Sequence, residues 1–442
     1  MTRVSFAPAL LRLAWPVALS RLGIMGMGVT DVIVVGQLAP HDLAHQALGW
    51  APTGVALVGG IGLLTGVQVL AARALGAGDA AHAGAAWRRG LVVALIAGAL
   101  FGALLFAAAE PLLVAFGISP ALAAGAAAVT AVLALSIPFH LLYTTHAYFL
   151  EAIQRPMAST VAMWGANILN LALNLWLVPE HGAVGSAFAT VVSRLALALA
   201  LGVWIWMLRD ADRLGVRARS DAPSYMALLQ IGAAAAVSQV AEAGAFSAMT
   251  VIAGRIGEQE VATYQILLQL MAIVFMIAMG LSTATAVLVS DAVGRRAPGD
   301  AVRAGWTGLL LCFGAMLIMA VVLLAGAPWI ARAFTADVAL TAMIAALMPL
   351  AALTLTPDGG QVVAAQALRA RGDNWFPTFS HVLAYVAIMP PLALYLAEHH
   401  GMGVAGLMYS ICISSVVSVS VLAARFWALG QRDVRLAAAA AE

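Results

Sequence analysis

Twelve stretches of about 20 apolar residues follow one another along this chain, each long enough to cross the roughly 30 Å hydrocarbon layer of a bilayer as a helix. They occupy approximately residues 9–35, 48–72, 90–109, 122–147, 158–178, 184–208, 226–254, 264–290, 305–327, 340–366, 376–397 and 403–427. Inside hydrocarbon a backbone must satisfy its own hydrogen bonds, which leaves helices or closed barrels, and apolar runs this long suit helices. The expected fold is therefore an all-α integral membrane protein with twelve transmembrane helices. Composition agrees, with 63% hydrophobic and 10% charged residues among 442, where a soluble domain carries about 25% charged.

All 22 basic residues are arginine, the formal net charge is +2, and no basic run is interleaved with aromatics, so a nucleic-acid partner is not expected. Cys312 and Cys412 lie inside apolar runs and read as packing residues, not as a disulfide framework or a four-ligand metal site. Arg12, Pro16 and Arg21 interrupt the first apolar stretch and no clean cleavage site follows, so that helix is expected to be retained. With the N-terminus inside, seventeen arginines from Arg3 to Arg435, Arg219 among them, fall in inner loops and tails, against Arg255 and Arg332 outside. That bias favours a multi-pass chain with both termini cytoplasmic.

The longest polar interruption, RDADRLGVRARSDAPS from Arg209 to Ser224, falls midway and carries no apolar run. It reads as a cytoplasmic linker at 209–224 between an N-terminal six-helix lobe at 1–208 and a C-terminal six-helix lobe at 225–427, with a cytoplasmic tail at 428–442. Shifting the first half by 218 residues sets Gly36 on Gly254, Asp42 on Glu260, and Gly62, Thr65 and Gly76 on Gly280, Thr283 and Gly294; near that shift Phe116 meets Phe334. The chain is expected to be a duplicated six-helix unit. An even number of spans returns each copy to the same side, so the repeats run parallel about an axis normal to the membrane and leave a cleft between them.

Three acids sit inside the spans, Asp31 in GMGVTDVIVVG, Glu242 in the seventh span and Asp358 in the tenth, while the other seventeen fall in loops, tails or helix ends. A lone carboxylate at the centre of a span costs about 2.5–3.5 kcal/mol on insertion scales, so each is read as functional, with a structural hydrogen bond or ion pair as the alternative. Arg21 cannot pair with Asp31 within their own helix, since a rise of about 1.5 Å per residue sets them about 15 Å apart. Asn167, Asn170 and Asn174, in GANILNLALN, share one face of the fifth span. Asn170 and Asn174 match Asp31 in depth, and a carboxylate with amide oxygens offers the shell a hard cation prefers; interhelical hydrogen bonding explains the same stripe equally well. Gln239 lies one turn before Glu242 and Gln361 one turn after Asp358, which gives each acid an amide on its own face. Pro357 removes a backbone donor beside Asp358 and is expected to bend its helix.

Other features have plainer readings. Met249, Met271, Met276 and Met279 read as core, with an adaptable ligand wall as the alternative. His140 and His381 read as bonded to neighbouring helices, with a proton relay as the alternative. GGIGLLTG, Gly59 to Gly66, follows no strand and reads as close helix packing, not nucleotide binding. No set of nucleophile, base and oxyanion donors is visible, and an enzyme is not expected.

GMGVTDVIVVG resembles the helix-one signature of the multidrug and toxic compound extrusion (MATE) family, in its NorM-type branch. LNLALN at Leu169 to Asn174 is similar to that branch's helix-five motif, QVAEAG at Gln239 to Gly244 to its helix-seven acid, and PDGGQVVAAQALRARGD at Pro357 to Asp373 to its helix-ten segment. The resemblance covers essentially the whole chain. It implies two six-helix lobes around a central cleft and export of organic cations in exchange for entering sodium ions or protons, with no cofactor. By the same resemblance Asp31, Asn170 and Asn174 form an N-lobe coupling site that takes a proton or sodium. Glu242 and Asp358, with Gln239, Gln361 and Thr354 around them, form a C-lobe site for cation or drug. Thr354 is a departure, since NorM-type proteins often carry a tyrosine one turn before the helix-ten acid. Because threonine lacks that reach and the asparagine-lined site does not demand sodium, proton coupling is expected. The expected protein is a bacterial cytoplasmic-membrane antiporter, a monomer in the lipid bilayer whose partners are small organic cations. A lipid-linked saccharide flippase of the same superfamily and a non-transporting accessory membrane protein are the alternatives.

Overall fold

The structure, a computed structural model, describes residues 6–115, 117–217, 224–335 and 337–439. Arg3, Phe116 and Arg219, used above for orientation and for the repeat, lie outside the described residues, as does part of the expected linker. Among the described residues every regular element is helical. In chain order these are α1 (Phe6–Leu38), α2 (Leu43–Leu63), α3 (Thr65–Gly76), α4 (Ala80–Ala115), α5 (Pro120–Ala152), α6 (Met157–Trp206), α7 (Tyr225–Ile256), α8 (Glu258–Gly294), α9 (Pro298–Phe334), α10 (Val338–Arg371), α11 (Trp375–His381), α12 (Met389–Leu394) and α13 (Val404–Ala439). A π-helical turn, Val382–Ile388, joins α11 to α12, and a second, Tyr395–His399, ends that crossing.

Eleven helical segments among the described residues have the length and hydropathy of a membrane span, one fewer than expected. The difference lies in α6, whose 50 residues would at about 1.5 Å per residue run far too long for one crossing of about 30 Å. It breaks at Gly182, whose φ of 54° and ψ of −138° are non-helical, and its two halves are the expected spans at 158–178 and 184–208. Only glycine serves at that point, because the backbone is left-handed and a Cβ would strike the Asp42 carboxylate. Asp42 Oδ2 accepts the N–H of Ala183 at 3.1 Å, which caps the second half of α6.

Contacts divide the chain into two units, Leu19–Ala236 and the described residues of Met1–Ala18 with Val237–Glu442. The polar linker is where composition changes, whereas packing divides the chain within α1 and α7. Small residues explain why. In the first unit Gly62 lies against the backbone of Ala236 and Gly66 against that of Leu228, so the start of α7 packs on α2 and α3. In the second, Gly280 of α8 lies against Ala14 and Ala18 of α1. The GGIGLLTG stretch is thus a packing motif, as its sequence suggested.

Leu57, Leu64, Val67, Leu141 and Leu228 form one core of the first unit, and Val34, Val35, Val129, Leu133 and Val178 another. In the second unit Ala364, Leu368, Leu422 and Phe426 cluster under Trp306 and Phe376. Large apolar side chains such as Phe106, Ile168, Trp176, Trp329 and Phe379 are exposed, as lipid-facing positions require. Cys312 is buried and Cys412 half-buried, both as free thiols. Met249 and Met271 are buried in the core.

Candidate functional site

Asp31 of α1 is 1% exposed, and both of its oxygens are held by neutral donors from α6. Asn170 and Asn174, one turn apart, donate their Nδ2 groups to Oδ1 at 3.1 and 2.8 Å. Thr190, beyond the break at Gly182, donates its hydroxyl to Oδ2 at 2.6 Å. The two halves of α6 therefore converge on one carboxylate. Asn167, on the same face as the other two asparagines, instead donates to the Gly23 carbonyl of α1 at 3.0 Å and serves as a tie between helices.

The donor set suits a hard monovalent cation by type, with a carboxylate, two amide groups and a hydroxyl, all from buried side chains. Oδ1 of Asn170 and Oδ1 of Asn174 are buried and accept no hydrogen bond among the described residues. As they stand, the amide nitrogens face Asp31, an arrangement that satisfies an ionised carboxylate.

The second unit gathers the other two acids. Gln361 of α10, one turn after Asp358, donates across to Glu242 Oε1 of α7 at 3.1 Å, so it serves the other acid and not its sequence neighbour alone. Asp358 Oδ1 accepts from the Tyr385 hydroxyl and from Ser415 Oγ, both at 3.3 Å, and those two hydroxyls lie 3.2 Å apart. Tyr385 stands in the π-helical turn after α11, and such turns often mark functional positions. It approaches Asp358 from another helix, while Thr354, one turn before the acid, is buried and gives its hydroxyl to the Leu350 carbonyl at 2.9 Å. Gln239 is half-buried, and among the described residues it bonds neither acid.

Sequence reading passed over Thr190, Tyr385 and Ser415 because hydroxyls are ordinary in apolar helices. Glu151 was grouped with the helix-end acids and does end α5, yet it is buried, accepting from Arg21 Nη2 at 3.3 Å and from Gln68 Nε2 at 2.7 Å. Arg21 thus has its partner on another helix. His381 Nδ1 lies 2.5 Å from Ser238 Oγ, and His140 is buried beside Tyr143, with ring centroids 5.8 Å apart.

A family model described as MatE matches the chain twice, over residues 16–176 and 234–394. The matches begin 218 residues apart, the shift at which the sequence repeats itself. The chain is 42% identical over 440 residues to the "Probable multidrug resistance protein NorM" of Caulobacter vibrioides, covering 98% of this chain and 93% of that protein. It is 33% identical over 448 residues to the protein of the same name from Rhodopseudomonas palustris, covering 97% and 93%. Among solved structures, a MATE protein in complex with MaL6 superposes with a TM-score of 0.90 at 20% identity over 98% of each chain, a likeness of fold. Fold, duplication and span composition define a multi-pass helical membrane protein, and the family match makes it one of a transporter family. The chain belongs to the multidrug and toxic compound extrusion family, in its NorM-type branch.

Proposed function

We propose that this protein is a cation-coupled antiporter that exports organic, mostly cationic, compounds across a bacterial cytoplasmic membrane, with both termini cytoplasmic and a single chain as the working unit. The names of its relatives, multidrug resistance proteins, support the substrate class. The observation that carries the coupling is the closed set of donors around Asp31. Asp31, Asn170 and Asn174 form the coupling-ion site, joined by Thr190. Glu242 and Asp358 attract the cationic substrate, because an opposite charge acts far more strongly where water is excluded. Gln361, Tyr385 and Ser415 orient those acids.

Exchange then follows from linkage. A cation entering from outside engages Asp31 and displaces its donors, which changes the relative stability of the inward-open and outward-open states. The substrate, bound more tightly by one of those states, moves the equilibrium the other way, and each ligand acts only through its difference in affinity. Protons are the favoured coupling ion, since Thr354, whose hydroxyl donates to the Leu350 carbonyl, lacks the reach a tyrosine would have toward a sodium ion at Asp358.

The test is efflux of ethidium from proteoliposomes holding the purified protein, driven separately by an inward proton gradient without sodium and by an inward sodium gradient at matched pH. Efflux under the proton gradient is expected. Efflux under sodium alone would return the Asp31 cluster to the role of a sodium site, and efflux under neither would overturn the antiport reading.

A further inference from the structure

Arg194 stands one turn after Thr190 in the second half of α6, inside the same unit as Asp31, and is only 5% exposed. Its Nη1 donates to Ser136 Oγ of α5 at 2.8 Å, and its guanidinium carbon lies 5.2 Å from the Trp50 ring of α2. Its Nε is buried and meets no acceptor, and among the described residues it forms no direct ion pair. A charge so enclosed persists only where another balances it.

The charged neighbours identify that balance. On α1 and α5, Arg21 and Glu151 pair directly at 3.3 Å, with Gln68 of α3 on the second carboxylate oxygen. His140 of α5 is within electrostatic reach of Arg194, and so is Asp31. Asp42, Glu110 and Glu180 lie toward helix ends. Among the described residues of these spans, Asp31 is a buried acid with no direct ion pair and Arg194 a buried cation with none. Thr190 connects the two, since it donates to Asp31 and Arg194 stands on the next turn of the same helix.

We propose that Arg194 is a built-in counter-cation of Asp31, a specificity-determining residue that sets how weakly the Asp31 site holds any added cation. Without Arg194, an entering cation would neutralise an isolated buried carboxylate. With it, the entering cation adds a net positive charge to a site already balanced. At the effective permittivity of about 20 that fits buried charges, a unit charge within about 12 Å changes a monovalent cation's affinity by about tenfold or more. The site is thereby kept weak enough to release its ion. The consequence for transport rests on the antiport reading; the effect on ion binding does not.

The experiment is thermal unfolding of the purified full-length protein across a series of sodium chloride concentrations, with choline chloride holding ionic strength constant. Wild type is compared with Arg194→Met, Arg194→Gln, Arg194→Lys, and each neutral variant combined with Asp31→Asn. Sodium should stabilise the Met and Gln variants with a half-saturating concentration at least about tenfold below that of wild type. Arg194→Lys, which keeps the charge, should behave as wild type, and Asp31→Asn should abolish the gain. Equal half-saturation in wild type and the neutral variants, no sodium response in the neutral variants, or a gain that survives Asp31→Asn would each overturn the proposal. Should the Met variant not fold, the Gln variant decides alone. No transported substrate enters this readout, so an absence of ethidium efflux would overturn the antiport reading and leave this result to stand by itself.

Discussion

Thr190 Oγ1 donates to Asp31 Oδ2 at 2.6 Å, although 159 residues separate the two in sequence. The bond exists because α6 crosses twice. Its first half brings Asn170 and Asn174 to one carboxylate oxygen and its second half, after the turn at Gly182, brings Thr190 to the other. A hydrogen bond to a charged group contributes about 1.5–3 kcal/mol. Thr190→Val, nearly isosteric, should therefore lower the melting temperature and slow efflux, while Thr190→Ser keeps the donor and stays close to wild type. Unchanged efflux and melting in the valine variant would remove Thr190 from the site.

The second-unit acids should discriminate by charge. Glu242→Gln and Asp358→Asn are expected to weaken transport of cationic substrates such as ethidium about tenfold or more, and of neutral substrates far less. Tyr385→Phe, which removes one of the two donors to Asp358 Oδ1, should show the same bias in milder form. Initial efflux rates for a matched cationic and neutral pair check this, and equal losses for both would move these acids out of substrate binding.

Gly182→Ala places a Cβ on a left-handed residue and against the Asp42 carboxylate. Residues forced into such conformations cost on the order of 1–3 kcal/mol, and here the strain falls at the junction that sets Thr190 against Asn170 and Asn174. Lower yield of folded protein and a lower melting temperature are expected. A wild-type melting curve would show that the junction bends freely.

Outside the spans, Arg155 Nη1 and Nη2 donate to the two oxygens of Asp210 at 2.9 and 2.7 Å. Those bonds hold the Asp210 carboxyl below the usual aspartate value, which is about 3.9. Since the folded-state value is depressed, the stabilisation is fully present above the usual value and is lost as pH falls through the folded one. Both side chains are partly exposed, so the contribution stays within about 1 kcal/mol. Amide exchange across residues 207–217 should accelerate as pH is lowered through that window, after correction for intrinsic rates. Asp210→Asn should show the faster exchange already at neutral pH.

Much of this was legible in the sequence for identifiable reasons. Apolar runs of span length can fold in few ways, and the interruption at Pro179–Gly182 separates two such runs where α6 kinks at Gly182. Asp31, Asn170 and Asn174 stood out because charges and amides are costly in hydrocarbon, and helical spacing predicted their shared depth. The hydroxyls were illegible. Thr190 in GSAFATVVSRL and Ser415 in ISSVVSVS have many look-alikes, and only tertiary packing selects them. Tyr385 escaped notice because the π-helical turn that carries it has no sequence signature. Gln361 was assigned to its neighbour Asp358 by helical periodicity alone, which cannot see Glu242 arriving on α7.

The most direct test of the account is ethidium efflux by Asp31→Asn in proteoliposomes under the gradient that drives wild type, at matched protein density and with folding verified by melting. Asparagine preserves the shape of Asp31 but cannot cycle its charge, so efflux is expected to fall to the level of protein-free liposomes. Efflux at the wild-type rate would contradict the assignment of Asp31 as the coupling carboxylate.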